Sequence, residues 1–166
     1  AKLCMSCVAE VSGSSGRATE AALEAGIVLE VFGNAKTLHN NNSSRFGKWC
    51  IVHFDKEGHI AGCKLQSYLL EKSRVVGQGE MERNYHIFYQ MCTAPAEKKK
   101  EYGLLGDATQ YALTKTTLTA PGIDDAAEWE NTVNKLEVFH LSAEKVAHLF
   151  RAFSRSEEHT SELQSR

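Results

Sequence analysis

The residues best suited to chemistry form the polar run NNNSSR at positions 40–45, which lies between two apolar stretches. Its adjacent hydroxyls, Ser43 and Ser44, are groups that can bind a hard cation such as Mg²⁺. Arg45 follows them directly, and a guanidinium can pair with a carboxylate or a phosphate. Because asparagine and serine side chains also bond nearby backbone, a solvated turn is the alternative interpretation. The position of the run between a predicted helix and a predicted strand favours a ligand-binding loop.

Two regular elements must hold this loop in place. Upstream, apolar residues at helical spacing predict a helix that Thr19 caps and that ends at Gly33. Downstream, the apolar run KWCIVHF at residues 48–54 predicts a buried strand. A turn at residues 55–58 and the alternating pattern of residues 59–70 complete a predicted antiparallel hairpin.

The remaining sequence predicts further helices separated by irregular segments. The predicted helices span residues 1–11, 82–91 and 96–103, a stretch from Asp124 or Asp125 to Phe139, and a stretch that Ser142 caps and that extends toward Phe150. Residues 12–16 and 106–123 are rich in small and polar residues and are predicted loops. Helices combined with a hairpin indicate an α/β fold, and a chain of 166 residues with 42% hydrophobic content is long enough for one core.

Charge and composition argue against several classes of protein. The net charge of −2 gives no general attraction for nucleic acid, so no nucleic-acid partner is expected. No apolar stretch predicts a transmembrane segment and no signal peptide is visible, which predicts a cytoplasmic protein. The five cysteines are an odd number and are interpreted as reduced thiols. Cys4 and Cys7 have the C-x-x-C spacing, but no second Cys or His pair follows at zinc-finger distance, so reduced thiols remain the preferred interpretation.

Several other polar and aromatic residues are interpreted as structural. Glu82, Arg83 and His86 lie on one predicted helix and are expected to form salt bridges and packing contacts rather than to catalyse. Trp49 and Trp129 are predicted to be packing residues, because nothing around them suggests a nucleic-acid stacking platform.

Longer motifs around the polar run resemble a known family. The segment LEVFGNAKTLHNNNSSRFGK (residues 29–48) resembles the switch I region of the myosin motor domain. The likeness continues through IVHFDKEGHIAGCKLQSYLLEKSRV (residues 51–75) and ERNYHIFYQ (residues 82–90), in the order and spacing of the family. It covers about residues 1–153 and implies a fragment of the myosin-type P-loop NTPase fold, with helices around an antiparallel hairpin of the central sheet.

The resemblance implies a role for each residue of the polar run. Ser44 is expected to coordinate Mg²⁺, and Ser43 is expected to contact the γ-phosphate of ATP and to help place the attacking water. Asn40 and Asn42 are expected to contact the nucleotide phosphates. Arg45 is expected to pair with a glutamate of the switch II segment when the site closes, and the sequence contains no such segment.

The resemblance also divides the chain into parts. It makes residues 1–11 the helix after the phosphate loop, residues 12–19 a surface loop, residues 34–48 the switch I region, residues 48–70 the hairpin, and residues 71–153 the start of the upper actin-binding subdomain. No chemistry is assigned to the charged residues after the hairpin, Glu71, Lys72 and Arg74. Residues 154–166 are predicted to be a non-native tail, because positions 155–166 resemble a translated sequencing adapter.

A phosphate-binding loop of the form GxxxxGK[ST] does not occur in the sequence. The segment SGSSGRATE (residues 12–20) resembles one only superficially, since it lacks the Gly-Lys-Thr core and follows a predicted helix. The resemblance therefore implies an Mg²⁺-dependent ATPase motor of the actin cytoskeleton, of which these residues alone are expected to be inactive. Its expected partners are the actin filament and ATP, with light chains or calmodulin bound through segments outside this sequence.

Two other classes of protein remain open at this stage. One is a non-catalytic, myosin-like interaction module that keeps the loop geometry but does not hydrolyse ATP. An intact GxxxxGK[ST] upstream of these residues would favour the enzyme, and its loss would favour the module. The other is a GTPase-like switch protein, against which the lack of an N-K-x-D base-reading motif counts.

Overall fold

The computed structural model of the chain describes residues 2–14 and 17–164, without the side chains of Lys2, Arg17, Ala18, Val138 and residues 157–164. The helices are α1 (Lys2–Val11), α2 (Arg17–Gly33), α3 (His86–Thr93), α4 (Ala96–Tyr102), α5 (Asp125–Val138) and α6 (Ala143–Gln164). The strands are β1 (Asn34–Ala35), β2 (Ser43–Ser44), β3 (Gly47–Phe54) and β4 (Ile60–Tyr68). Strand β1 pairs with β2 and β3 with β4, both antiparallel. The predicted α/β class is therefore confirmed.

An aromatic core holds the helices together. The rings of Trp129 in α5 and Phe150 in α6 lie 4.8 Å apart between centroids, and Tyr102 of α4 lies 5.1 Å from Phe150. Phe153 extends this cluster to α2 through a contact of 5.3 Å with the ring of Phe32. Because buried aromatic rings contribute large apolar areas and tilted ring contacts, this cluster is the main packing centre of the helical part. The predicted packing role of Trp129 is confirmed.

Local capping signals set the ends of the later helices, as the sequence predicted. The carboxylate of Asp124 accepts hydrogen bonds from the backbone N–H groups of Ala126 and Ala127, at 3.0 and 3.2 Å, and so caps α5. Ser142 precedes α6, and its hydroxyl accepts from the backbone N–H of Lys145 at 3.3 Å. Helix α6 continues well beyond the predicted end near Phe150.

The hairpin of β3 and β4 has the predicted turn, and the structure gives its register. Gly47 pairs with Tyr68 at its open end, and the turn at the other end contains Gly58 with φ of 87°. Asp55 stabilises this turn, because its carboxylate accepts from the backbone N–H of His59 at 2.8 Å. A left-handed φ explains why glycine occupies position 58.

The expectation that β3 is a buried strand is wrong for this chain. Trp49 is 62% exposed, Phe54 is 49% exposed and Ile51 is 37% exposed, so the predicted packing role of Trp49 is also wrong. Helix α2 packs against β4, and the described residues provide no second layer over the exposed side chains of β3. An apolar run predicts burial only where elements cover both faces of the strand.

Two predicted helix starts also differ from the structure. Helix α2 begins at Arg17, so Thr19 lies inside it, and only residues 12–14 of the predicted loop 12–19 are described as non-helical. Helix α3 begins at His86 rather than at position 82. The backbone N–H of Arg83 donates to the carbonyl of Lys36 at 3.0 Å, and Tyr85 forms a bridge with Ala35. This segment is therefore extended, because its backbone pairs with the chain near the polar loop.

The predicted non-native tail, residues 154–166, begins inside α6. The backbone of α6 runs through this segment to Gln164, Ser154 is 4% exposed, and residues 165–166 lie outside the described part. The origin of the tail stays a prediction. None of the described helices combines the length and the apolar character needed to cross a membrane.

Candidate functional site

The polar loop is fastened at its base to the end of α2. Strand pairing places Asn34 opposite Ser44 and Ala35 opposite Ser43. The backbone N–H of Arg45 donates to the carbonyl of Gly33 at 2.9 Å, which closes the loop on the last residue of α2. Glycine is required at position 33, because an added Cβ would overlap the ring of Phe46. Strand pairing and this backbone hydrogen bond therefore hold both ends of the loop in place.

The tip is ordered by local hydrogen bonds of the kind that asparagine and threonine make in turns. The backbone N–H of Thr37 donates to the carbonyl of Asn40 at 2.8 Å, and the Thr37 hydroxyl accepts from the Asn40 N–H at 3.2 Å. The side-chain oxygen of Asn40 accepts from the backbone N–H of Asn42 at 2.8 Å. Asn41 reaches away from the loop, since its amide donates to the carbonyl of Pro121 at 2.9 Å.

Asn42 connects the loop to the helical core. Its side-chain oxygen accepts from the amide of Asn34 at 3.0 Å and lies 3.1 Å from Nε2 of His86, so Nε2 is the donor. Burial lowers the pKa of His86 to about 4, and the nearby charge of Arg83 acts in the same direction. His86 is therefore neutral near pH 7 and donates through Nε2, while its Nδ1 has no partner among the described residues. Sequence reasoning missed this contact.

The two serine hydroxyls differ in their hydrogen bonds: that of Ser43 accepts one and that of Ser44 donates one. They are adjacent residues of a strand, so their side chains lie on opposite sides of it. The Ser43 hydroxyl accepts from Nη1 of Arg45 at 3.2 Å, which leaves its own hydrogen able to donate. The exposed Ser44 hydroxyl donates to the carbonyl of Phe46 at 3.0 Å, which leaves its oxygen lone pairs able to face a cation.

These hydroxyls fit a magnesium–phosphate group better than a site made of protein ligands alone. Among the described side chains, no group of three or more His, Cys, Asp or Glu residues could hold a metal ion. Mg²⁺ in phosphate sites commonly takes one or two protein oxygens and completes its shell with phosphates and water. Ser44 fits this pattern, because its exposed oxygen offers one hard ligand.

Arg45 lies in an ion-pair network at the end of the hairpin. Its Nε is 2.6 Å from a carboxylate oxygen of Glu71, and the same oxygen is 2.7 Å from Nε of Arg74. Arg74 is buried and also pairs with Glu82 at 2.9 Å. Hydrogen bonds from Arg45 and Arg74 hold the pKa of Glu71 below its ordinary value, although burial opposes them. Glu71 is therefore an anionic partner of Arg45.

No chemistry was assigned to Glu71 from the sequence, although the predicted hairpin contained a signal for it. The register that pairs Gly47 with Tyr68 brings the residues just after β4 beside Arg45. The structure shows this proximity directly, since the backbone N–H of Glu71 donates to the carbonyl of Arg45 at 3.0 Å.

The structural roles predicted for Glu82 and Arg83 agree with their ion pairs to Arg74 and Asp125.

Comparison with known proteins decides the family. A family profile for the myosin head (motor domain) matches residues 1–156. The chain belongs to the myosin motor-domain family. It is 43% identical over 152 residues to unconventional myosin heavy chain 6 of Caenorhabditis elegans, covering 90% of this chain and 7% of that protein. It is 46% identical over 142 residues to myosin-5 of Arabidopsis thaliana, covering 84% of this chain and 9% of that protein.

A third relative, the myosin IB heavy chain of Dictyostelium discoideum, is 42% identical over 156 residues, which cover 91% of this chain and 14% of that protein. The chain thus spans between 7% and 14% of the length of these three myosins. The family predicted from the switch I motif is confirmed, and the motif lies within the matched residues. The roles of the individual loop residues stay predictions.

Proposed function

We propose that the chain is part of an actin-based cytoskeletal motor that binds and hydrolyses ATP with Mg²⁺, and that residues 40–45 form one wall of its nucleotide site. The observation that carries this proposal is the different hydrogen bonding of the adjacent Ser43 and Ser44 hydroxyls. One hydroxyl has a hydrogen to donate, the other has lone pairs to offer, and both are held on a loop fastened at its base. Membership in the myosin motor-domain family supports the same assignment.

The proposed reaction is phosphoryl transfer from ATP to water. Such a reaction depends on positioning and on charge stabilisation more than on covalent catalysis. The oxygen of Ser44 would hold Mg²⁺, and the ion would supply positive charge to neutralise the phosphate oxygens. The hydroxyl of Ser43 donates to a γ-phosphate oxygen and helps to position the attacking water. Because the two side chains lie on opposite sides of β2, they serve these two roles rather than one shared ligand set.

The asparagines of the loop bind phosphate through their amide groups. The side-chain oxygens of Asn40 and Asn42 already accept hydrogen bonds within the protein. Their amide NH₂ groups are thus the donors assigned to phosphate oxygens. Asn42 is the more constrained of the two, because both Asn34 and His86 hold its oxygen.

Arg45 acts as the element that responds to closure of the site. Arg45 forms an ion pair with Glu71 in this structure. When the γ-phosphate is in place, Arg45 instead pairs with a glutamate of switch II. An ion pair that forms in only one nucleotide state converts that state into a loop conformation.

The partners of the proposed motor follow from the same assignment. Residues 71–153 form the beginning of the surface subdomain that binds the actin filament, and light chains or calmodulin bind outside this sequence. The motor acts in the cytoplasm on the actin cytoskeleton. The 166 residues alone do not turn over ATP, because the sequence contains no GxxxxGK[ST] motif to hold the phosphates.

The decisive experiment removes the proposed magnesium ligand from the full-length protein. Ser44→Ala is expected to abolish Mg²⁺-dependent, actin-activated ATP turnover in a phosphate-release assay. Ser67→Ala is the matched control, because Ser67 is an exposed serine on β4 outside the loop, and it is expected to keep normal turnover. Near-normal turnover in Ser44→Ala would contradict the role given to Ser44.

A second measurement tests the assignment of the isolated chain. Titration calorimetry of the 166-residue chain with MgATP is expected to show no measurable heat of binding. Tight binding would show that residues 12–20 form a phosphate loop after all, and that the proposed division of the chain is wrong.

A further inference from the structure

Two thiols meet across the hairpin, on elements that the proposed nucleotide site does not use. The Sγ atoms of Cys50 in β3 and Cys63 in β4 lie 3.1 Å apart. Cys50 pairs with Leu65 and Cys63 pairs with Val52, so the two cysteines are diagonal neighbours on one face of the hairpin. The contact is therefore between two paired strands rather than between mobile loops.

In the part of the chain that the structure describes, a small reagent can reach the pair. Cys50 is exposed and Cys63 is partly exposed, whereas Cys92 lies in the helical core. No disulfide links the described cysteines. Two thiols in contact at an accessible position differ from isolated cysteines, because oxidation of one sulfur places an electrophile directly beside a second nucleophile.

We propose that Cys50 and Cys63 form a redox-sensitive dithiol, which hydrogen peroxide converts into a disulfide across the hairpin. In the first step the Cys50 thiolate attacks one peroxide oxygen, an S–O bond forms, the O–O bond breaks and hydroxide leaves. In the second step Cys63 sulfur attacks the Cys50 sulfur, an S–S bond forms and the S–O bond breaks. The oxygen leaves as water with the thiol proton of Cys63. The hydroxide from the first step takes up the proton that Cys50 released on forming its thiolate, so that two thiols are oxidised and one peroxide is reduced to two waters.

The geometry requires only a small adjustment. A disulfide has an S–S distance of about 2.0 Å, so the two sulfurs must approach by about 1 Å from their present contact. Twist in a two-stranded ribbon brings one diagonal closer than the other, and the sulfur contact identifies this diagonal as the close one. Rotation about the Cα–Cβ bonds supplies the remaining approach.

The order of the two steps follows from the environments of the sulfurs. Burial raises the pKa of the Cys63 thiol to about 11, and its contact with Cys50 adds to the effect. Cys63 therefore keeps its proton near neutral pH and acts second, since the thiolate is the reactive form of a cysteine. Cys50 is more exposed and meets peroxide first.

Other sulfurs lie near enough to compete. The sulfur of Met5 in α1 is 3.9 Å from the Sγ of Cys50, and oxidation there would yield a sulfoxide. Cys4 and Cys7 are exposed on α1 and are alternative partners. A test must therefore identify the linked residues rather than count the lost thiols.

Tryptic peptides separate these outcomes. Lysines at positions 48, 56 and 64 place Cys50 in the peptide WCIVHFDK and Cys63 in the peptide EGHIAGCK. We would treat the full-length protein with equimolar hydrogen peroxide, alkylate the remaining thiols and analyse a non-reducing digest by mass spectrometry. The expected product is a linked pair of these two peptides that is two hydrogens lighter than their sum and that dithiothreitol separates.

Variants complete the test. Cys50→Ser and Cys63→Ser are each expected to abolish the linked pair, whereas Cys4→Ser keeps it. Linkage of Cys50 to Cys4 or Cys7 would overturn the proposal. So would peroxide-treated wild-type protein in which Cys50 is sulfinic acid, or Met5 is sulfoxide, without any Cys50–Cys63 linkage. The wild-type digest decides the question even if a variant folds poorly.

Discussion

The helical part of the chain and the β3–β4 hairpin place the same residue types in opposite environments. Phe150 of α6 is fully buried, whereas Phe54 of β3 is 49% exposed. Trp129 of α5 is buried, whereas Trp49 of β3 is exposed. The helices supply one another with apolar surface, whereas the described helical packing on the hairpin is mainly that of α2 against β4. An apolar residue type thus indicates a tendency to be buried, and whether the residue is in fact buried depends on the elements that pack beside it.

Charged groups show the same contrast. The guanidinium of Arg83 is fully buried, pairs with Asp125 at 2.7 Å and lies 3.6 Å from the ring centroid of Tyr89. Burial raises the pKa of Asp125, although the Arg83 charge beside it opposes this shift. In the hairpin, the carboxylate of Asp55 is exposed, and its partners among the described residues are the nearby Glu57 and His59. Removing a charged partner is therefore expected to lower stability more in the helical part, where the pair is buried, than in the hairpin, where the charge is exposed.

The largest expected effect comes from truncating matched phenylalanines. Phe150→Ala should lower the free energy of unfolding by about 4 kcal/mol, because it removes a ring at the centre of the aromatic cluster. Phe54→Ala should lower it by less than about 1 kcal/mol, since the ring is half exposed. Urea unfolding of the 166-residue chain, followed by circular dichroism, measures both values. Equal losses would show that the hairpin is packed as tightly as the helices.

A matched pair of aspartates should give the next largest effect. Asp125→Ala is expected to lower the free energy of unfolding by about 3 kcal/mol, because it leaves the buried Arg83 charge without its carboxylate. Asp55→Ala should produce a much smaller shift of the urea midpoint, because solvent replaces the lost turn contacts. If the two variants unfold at the same urea concentration, the Arg83–Asp125 pair is not the stabilising contact inferred here.

Matched histidines should give the smallest effect, which depends on pH. The pKa of His86 is 6.5 in the unfolded chain and about 4 in the folded chain, because burial disfavours the charged ring. Between these values the unfolded chain binds a proton that the folded chain does not. Stability is therefore greatest above pH 6.5 and falls as pH drops toward 4. From about pH 7 to about pH 5 the expected loss is about 2 kcal/mol.

The variants His86→Gln and His53→Gln assign this pH dependence. His86→Gln should flatten the stability curve in this range, whereas His53→Gln should leave it unchanged, because His53 is exposed on β3. Carboxylates whose pKa is lowered, such as Glu71 and Glu82, contribute at more acidic pH and do not mask the histidine range. A pH dependence that survives in His86→Gln would place the titrating group elsewhere.

Features encoded by nearby residues could be predicted from the sequence. The cap at Asp124, the capping hydroxyl of Ser142 and the glycine turn at Gly58 all act within a few residues of their own positions. The hydroxyl, amide and guanidinium groups of residues 40–45 are likewise visible in one short segment. Local chemistry therefore predicted the elements and the candidate loop between them.

Features that depend on distant residues could not be predicted in the same way. Helix α3 begins late because Arg83 bonds to Lys36, and the exposure of Trp49 depends on which elements cover β3. The contact between Asn42 and His86 joins residues 44 positions apart. Such contacts require the three-dimensional arrangement, since no local pattern in the sequence encodes them.

Glu71 gives the loop a reversible attachment. Its carboxylate accepts from both Arg45 and Arg74, and Arg74 is held independently by Glu82 and by the carbonyl of Arg83. If Arg45 departs, Glu71 still faces a positive charge and is not left as an isolated anion. When Arg45 leaves, one charge-assisted hydrogen bond is lost, but Glu71 is not left as a desolvated charge without a partner. An arginine attached in this way can leave and return repeatedly while the scaffold around it stays electrostatically balanced.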